Sequence, residues 1–263
     1  MTEIQIHDWK SISEYIEGLI SKNSDILYRY FFRGQSNSNW KLEPSITRIV
    51  KGDNISEEKA IYHERQGLMD FKALAHLTNE RLVYDSSMED IALYIDMQHY
   101  SCPTRFLDWS NSPYIALYFA VSDSFNDDCS LFVWDYSYYM NIMKKLHTGF
   151  KEFSLLDLLK FEDYNLVQIL LPTKKNERLY RQQGIFSVSN NILEPHCDLI
   201  DFASNELSQK SALSKIVISK ESKMEILDRL KYMNITASSL FPGLDGIGKE
   251  IRESMLLRKW KKK

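Results

Sequence analysis

The sequence predicts an α+β fold, a mixed-sheet core with flanking helices, from three observations. First, the short apolar runs LFVWDY (131–136), LVQILL (166–171), IFSVS (185–189) and KIVIS (215–219) read as buried strands. Second, segments with apolar residues at helical spacing lie before, between and after them. Third, strands and helices do not alternate in the regular βαβ order that builds a wholly parallel sheet. With 263 residues, 44% of them apolar and 13% aromatic, the chain can bury a large core as a single domain over 1–263. A helix near residues 11–20 and a basic helix near 246–263 would be its additions.

Taken in order, SISEYIEGLI sets Ile12, Tyr15, Ile16, Leu19 and Ile20 on one stripe, with Ser11 and Glu14 spaced as a capping box. DILYRYFFRGQ (25–35) is rich in aromatic and branched residues and runs into Gly34, which predicts a buried strand ending in a turn. Residues 56–83 have long helical character without proline, and Ser86 with Glu89 can cap a further helix towards Met97. After Pro113, YIALYFAVS reads as a helix or a buried strand, and the preceding proline and two alanines favour the helix. SDSFNDDCS (122–130) reads as a surface loop, and SLLDLLK (154–160) as helical. Residues 222–233 form a helix with Ser222 and Glu225 as its capping box, and Asp245 can cap a last helix that carries Ile247, Ile251 and Met255 on one stripe.

A formal charge of −3 leaves no global field favouring nucleic acid or a membrane. Cys102, Cys129 and Cys197 are odd in number and widely spaced, and MTEIQIHDWK lacks the regions of a signal peptide, so a reduced, cytoplasmic protein is expected. No apolar run reaches the roughly 20 residues of a membrane helix. The six histidines show no metal-ligand spacing, and there is no Walker loop, GxGxxG or GxSxG element. No metal is expected. The usual nucleotide hydrolases, dehydrogenases and serine hydrolases fall away.

Three stretches place polar groups inside apolar frames. In QHYSCPTRFLDWSNSPYIALYFA (98–120), the core-seeking Leu107, Trp109, Ile115, Leu117 and Phe119 draw Arg105 and Asp108 towards the interior or a cleft wall. Asp108 either locks the turn by pairing with Arg105 or Arg33, or joins His99, Thr104 and Arg105 along a cleft that offers donors to an anionic or sugar-like ligand. In FFRGQSNSNWKLEPSITR, Arg33 closes an aromatic run and its fork suits a phosphate or carboxylate, while Gly34 allows close approach of backbone or ligand. In ERLYRQQGIFSVSN, Arg178, Arg181, Gln182 and Gln183 precede Gly184; they form either a polar turn or a phosphate- and ribose-binding edge. The basic end of SLFPGLDGIGKEIRESMLLRKWKKK complements a helix dipole and also suits phosphates or an acidic partner.

FRGQSNSNWKLEPSITR, QHYSCPTRFLDWSNSPYIALYFA, RQQGIFSV and LFPGLDGIGKEI together resemble the bacterial FRG domain, in the expected order over about residues 30–251. Ser101-Cys102 and Gly243 depart from the family's usual residues. The motif order also resembles ADP-ribosyltransferases of the Arg, Ser/Thr, Glu type, and implies an ADP-ribosyltransferase-like fold and NAD as cofactor. On that resemblance Arg33, with Gly34 and Gln35, matches the first, NAD-holding motif. Thr104 is a candidate hydroxyl counterpart, and Gln183 stands near the third motif, where the family has Glu; Arg105 and Arg181, read from their own segments, would then face the dinucleotide.

Breaking the nicotinamide glycosidic bond develops oxocarbenium character, so such a site must clamp the dinucleotide and exclude water more than it must supply a nucleophile. Glutamine cannot act as a base, so His99 or Asp108 would deprotonate an acceptor that needs it. The resemblance further implies a toxin or phage-defence effector that modifies a macromolecule, RNA before protein, with an antitoxin as possible partner and no membrane. The alternatives are a non-catalytic nucleotide-binding or interaction module, and a protein whose motif residues only knit the core.

Overall fold

The computed structural model describes residues 1–21, 29–52, 55–75, 77–78, 89–172 and 176–262. Its first half runs β1 (Thr2–Ile6), α1 (Trp9–Ser21), β2 (Tyr30–Gln35), α2 (Ser45–Gly52), α3 (Glu57–Ala75), α4 (Glu89–His99), β3 (Leu107–Ser110) and α5 (Pro113–Val121). Then follow β4 (Cys129–Asp135), α6 (Tyr136–Leu146), α7 (Leu155–Leu158), β5 (Val167–Leu170), α8 (Glu177–Arg181) and β6 (Gly184–Ser189). The chain closes with α9 (His196–Glu206), β7 (Leu213–Ile218), α10 (Lys223–Tyr232), α11 (Ala237–Leu240) and α12 (Leu244–Trp260). The expected strand start at 25–28, the helix end at 79–83 and the Ser86 cap lie outside the described residues.

The fold is α+β. Seven strands form one mixed sheet in the order β1-β7-β4-β2-β3-β6-β5. β1 and β7 run parallel, and the remaining pairs are antiparallel. Alternate residues of the central strands feed two cores. Phe31, Phe132, Trp134, Leu107 and Trp109 pack on one face with α6 and α9. Phe32, Leu131, Val133, Ile216 and Ile218 pack on the other with α1, α5 and α10. This period of two explains why the central strands are apolar at nearly every position: both faces are covered by helices.

Several local expectations are corrected. α1 begins at Trp9, and its cap is Asp8, whose Oδ1 accepts from the Ser11 amide at 2.7 Å. The Ser222–Glu225 box does not form, because the Ser222 hydroxyl donates to the carbonyl of His7 instead. Gly243, at φ 86°, stands at the cap position of α12, and Asp245 lies inside its first turn. The stripe Ile247, Ile251 and Met255 faces solvent, while Gly246, Glu253 and Leu257 turn inward. β1 and β3 were not anticipated. β1 is a half-exposed edge strand of mixed polarity, and β3 spans four residues, too few for alternation to register.

Among the described residues, no helix is long and apolar enough to cross a membrane, and no group of three His, Cys, Asp or Glu side chains could hold a metal.

Candidate functional site

β2 pairs with β4 through six consecutive residues, but with β3 through Phe32 and Ser110 alone. Beyond that pair the two strands part, and the sheet opens. A cavity of about 960 Å³ enters at this split, large enough for a dinucleotide-sized ligand. Arg33 bridges the gap. Its Nη1 donates to the backbone carbonyl of Asp108, a β3 residue that has no ladder partner in β2, and lies 3.9 Å from Asp108 Oδ2. Its Nε is buried without a partner among the described residues. Gln35 Oε1 is likewise buried and unpartnered, while its Nε2 donates to the carbonyl of Lys41 at 3.1 Å.

The wall beside Arg33 is held by a chain of hydrogen bonds. Thr104 Oγ1 donates to Gln98 Oε1 and accepts from the Phe106 amide, and Gln98 Nε2 donates to Asp108 Oδ2 at 2.8 Å. Thr104 is fully buried and lies off the cavity surface, so it positions Gln98 and does not meet a ligand. Gln98, His99 and Asp108 themselves line the cavity. Burial, and then the nearby Arg178 guanidinium, hold His99 below the ordinary imidazole range, which favours a neutral ring able to accept a proton.

Three further sequence-derived assignments change. Arg105 is buried and bound through Nε and Nη2 to Glu64, with Nη1 on the carbonyls of Ser189 and Asn190, so it ties α3 to the sheet and does not reach the cavity. Arg181 lies on the surface, paired with Glu177 at 2.7 Å and bonded to the carbonyls of Ser238 and Ser239. Gln183 follows the end of α8 in a left-handed conformation, φ 47°, with its side chain exposed and away from the cavity. Its neighbour Gln182 lines the cavity in its place and donates to the carbonyl of Leu240 at 3.2 Å. Gly34 lines the cavity, yet the close approach it permits is that of backbone: a Cβ there would stand 1.9 Å from the carbonyl oxygen of Ala116 in α5.

Residues 28–129 match the FRG domain family model. The FRG match covers β2 through α5 and hence Arg33, Gly34, Gln35, Gln98, His99, Thr104 and Asp108. The later segments RQQGIFSV and LFPGLDGIGKEI lie outside it, although both contribute to the same cavity. No curated protein and no solved structure matches the chain.

Sequence reasoning missed Glu253. It sits on α12, is 8% exposed, lines the cavity and accepts from the Tyr118 hydroxyl at 2.6 Å. Burial pushes its carboxyl above the ordinary range, against the pull of the Tyr118 bond. The available signal was a glutamate three residues after a glutamate in an amphipathic helix, which reads as a solvated face. Only the packing of α12 on α10 and α11, which brings it within reach of Tyr118, turns it inward.

Proposed function

We propose that the cavity binds a dinucleotide of the NAD class and that the chain is an ADP-ribosyltransferase acting on a macromolecule. The observation that carries this reading is the split sheet, where Arg33 bridges two parted strands beside orphaned polar atoms in a dinucleotide-sized hollow. The residues present fit such a ligand. Among the described residues no hydrogen bond uses Arg33 Nη2, and Gln35 lines the cavity beside it. Trp40 and Phe119 supply aromatic surface on the same walls.

Bound NAD would supply an ADP-ribosyl group with nicotinamide as its leaving group. Arg33 would hold the pyrophosphate, and Gln182 or Gln35 a ribose hydroxyl. Glu253 provides the carboxylate that the segment around Gln183 lacks, and its raised affinity for protons suits it to take one from an acceptor hydroxyl or amine. Neutral His99 is the other base on these walls, while Asp108 is already committed to Gln98. RNA is the favoured acceptor and protein the second, with toxin or phage-defence use and an antitoxin partner resting on the FRG resemblance. The ADP-ribosyltransferase-like description of the fold belongs to this proposal too.

Incubating the purified chain with NAD labelled in the adenylate, together with cell lysate, tests it. Label should transfer to nuclease-sensitive material and be lost in Arg33→Ala. Tight NAD binding by calorimetry without release of nicotinamide would instead establish a non-catalytic nucleotide-binding module.

A further inference from the structure

A second group of cations lines the cavity on elements other than the one that carries Arg33. The Arg178 guanidinium of α8 and the Lys249 ammonium of α12 both lie over the Phe241 ring, 5.0 and 4.1 Å from its centroid. Arg252, one turn beyond Lys249, lines the same cavity. None of the three forms a salt bridge among the described residues. The neighbouring acids are engaged elsewhere: Glu177 with Arg181, Glu250 with Thr236 and Ser238, and Glu253 with Tyr118.

Three like charges line this part of the cavity with one buried carboxylate nearby, Glu253, which is hydrogen-bonded to Tyr118 and forms a salt bridge with none of them. The ring beneath Arg178 and Lys249 is itself packed edge-on against Phe119 at 5.8 Å. A cation held over an aromatic face is fixed in place by the ring's quadrupole, yet its N–H groups stay available to an anion. Such a mount gives positioned donors at the cost of mutual repulsion, and an oxyanion relieves that repulsion.

We propose that Arg178 and Lys249 over Phe241, with Arg252 on the same wall, form a phosphate-binding subsite of the cavity, separate from Arg33. A phosphate there belongs either to a second phosphate on the nucleotide or to the backbone of an acceptor nucleic-acid strand. The proposal takes the ligand's chemistry from the nucleotide reading, but the subsite stands on its own geometry.

The test is calorimetry on the full chain carrying Lys249→Gln and Arg252→Gln together, both at exposed helix positions, with Lys249→Gln alone as the milder variant and circular dichroism to confirm the fold. The probes are inorganic pyrophosphate, NAD compared with NADP, and an RNA oligonucleotide with and without a 5′-phosphate. Pyrophosphate affinity should fall about ten-fold or more in the double variant, and two- to five-fold in the single one. Losing only the advantage of NADP over NAD assigns the subsite to the nucleotide; losing only the advantage of the phosphorylated RNA assigns it to the acceptor. Unchanged pyrophosphate affinity in a folded double variant overturns the subsite. If NAD fails to bind while pyrophosphate binding still depends on Lys249 and Arg252, the transferase reading fails and the subsite remains.

Discussion

Gln98 Nε2 donates to Asp108 Oδ2 at 2.8 Å, so the carboxylate oxygen nearest Arg33 is held by a neutral amide. Gln98 is in turn oriented by Thr104, whose hydroxyl donates to its Oε1. This order leaves the guanidinium incompletely matched, because Asp108 Oδ2 stands 3.9 Å from Arg33 Nη1 and does not close a bidentate pair.

Gln98→Leu should therefore release Asp108 towards Arg33 and weaken NAD binding about ten-fold, as Arg33 becomes neutralised within the protein. Thr104→Val should act in the same direction through Gln98 and cost about 1 kcal/mol of stability, the scale of one lost hydrogen bond. Thr104→Ser should restore both. Calorimetry paired with thermal melts measures this, and full affinity in a folded Gln98→Leu protein would contradict it.

Arg33→Ala separates a ligand-binding arginine from a structural one. A buried pair broken on one side costs about 3–5 kcal/mol. Asp108, however, is 56% exposed and keeps its bond to Gln98, so removing Arg33 strands no buried carboxylate. The variant should lose about 1–2 kcal/mol, the scale of the hydrogen bond to the Asp108 carbonyl with a screened pair, while nucleotide binding disappears. A large fall in melting temperature would return Arg33 to the core.

Gly34 is required for a reason internal to the fold. A methyl group there would meet the backbone of Ala116 and Ala120 at 1.9 and 2.5 Å, and no rotamer change can relieve a clash with backbone. Gly34→Ala should force α5 off β2 and cost about 4 kcal/mol or more, or yield no folded protein. Ordinary stability in urea would show that the helix can shift.

How much of this could be read in advance follows from the range of the interactions. The apolar runs and the Pro113 helix start were legible, since burial on both faces and a fixed proline φ are local properties. Arg33 and Asp108 were visible as polar groups in apolar frames, and both lie on the cavity wall. Arg105 looked the same in sequence, but its partner Glu64 is supplied by a helix 41 residues away, which turns a candidate ligand-binder into a tie. Gln182 and Gln183 are adjacent, and only the left-handed turn at Gln183 decides which of them faces inward. Glu253 and the Phe241 cations depend on where α12 packs, a relationship that no local pattern encodes.

Glu253→Gln isolates the buried acid. Because burial raises its folded affinity for protons above the unfolded value, its contribution to stability is present below the unfolded pKa and is lost as pH rises through the folded one. At neutral pH the amide removes that penalty and still accepts from Tyr118, so the variant should be no less stable than the parent. Label transfer from NAD should nonetheless fall about 100-fold, the lower range for loss of a general base. Undiminished transfer would leave His99 as the base.

His196 sets the acid limit of the fold. It is buried, and Trp109 Nε1 donates to Ser187 Oγ at 2.8 Å, so the Ser187 hydroxyl is free to donate to His196 Nδ1 at 2.9 Å. Burial first, then the guanidinium groups of Arg33 and Arg105, lower its pKa to about 3. The unfolded ring titrates near 6.5, so between these values the unfolded state binds one more proton than the native state. Stability from this group is therefore complete above pH about 6.5 and is lost as pH falls towards 3, at about 1.4 kcal/mol per pH unit in the middle of that window. Urea unfolding measured from pH 4 to 7.5 should show that slope, and His196→Gln should flatten it by one proton's worth while keeping a partner for Ser187. Equal slopes in the two proteins would mean that the ring is charged in the native state, and that Arg33 does not stand beside a neutral wall.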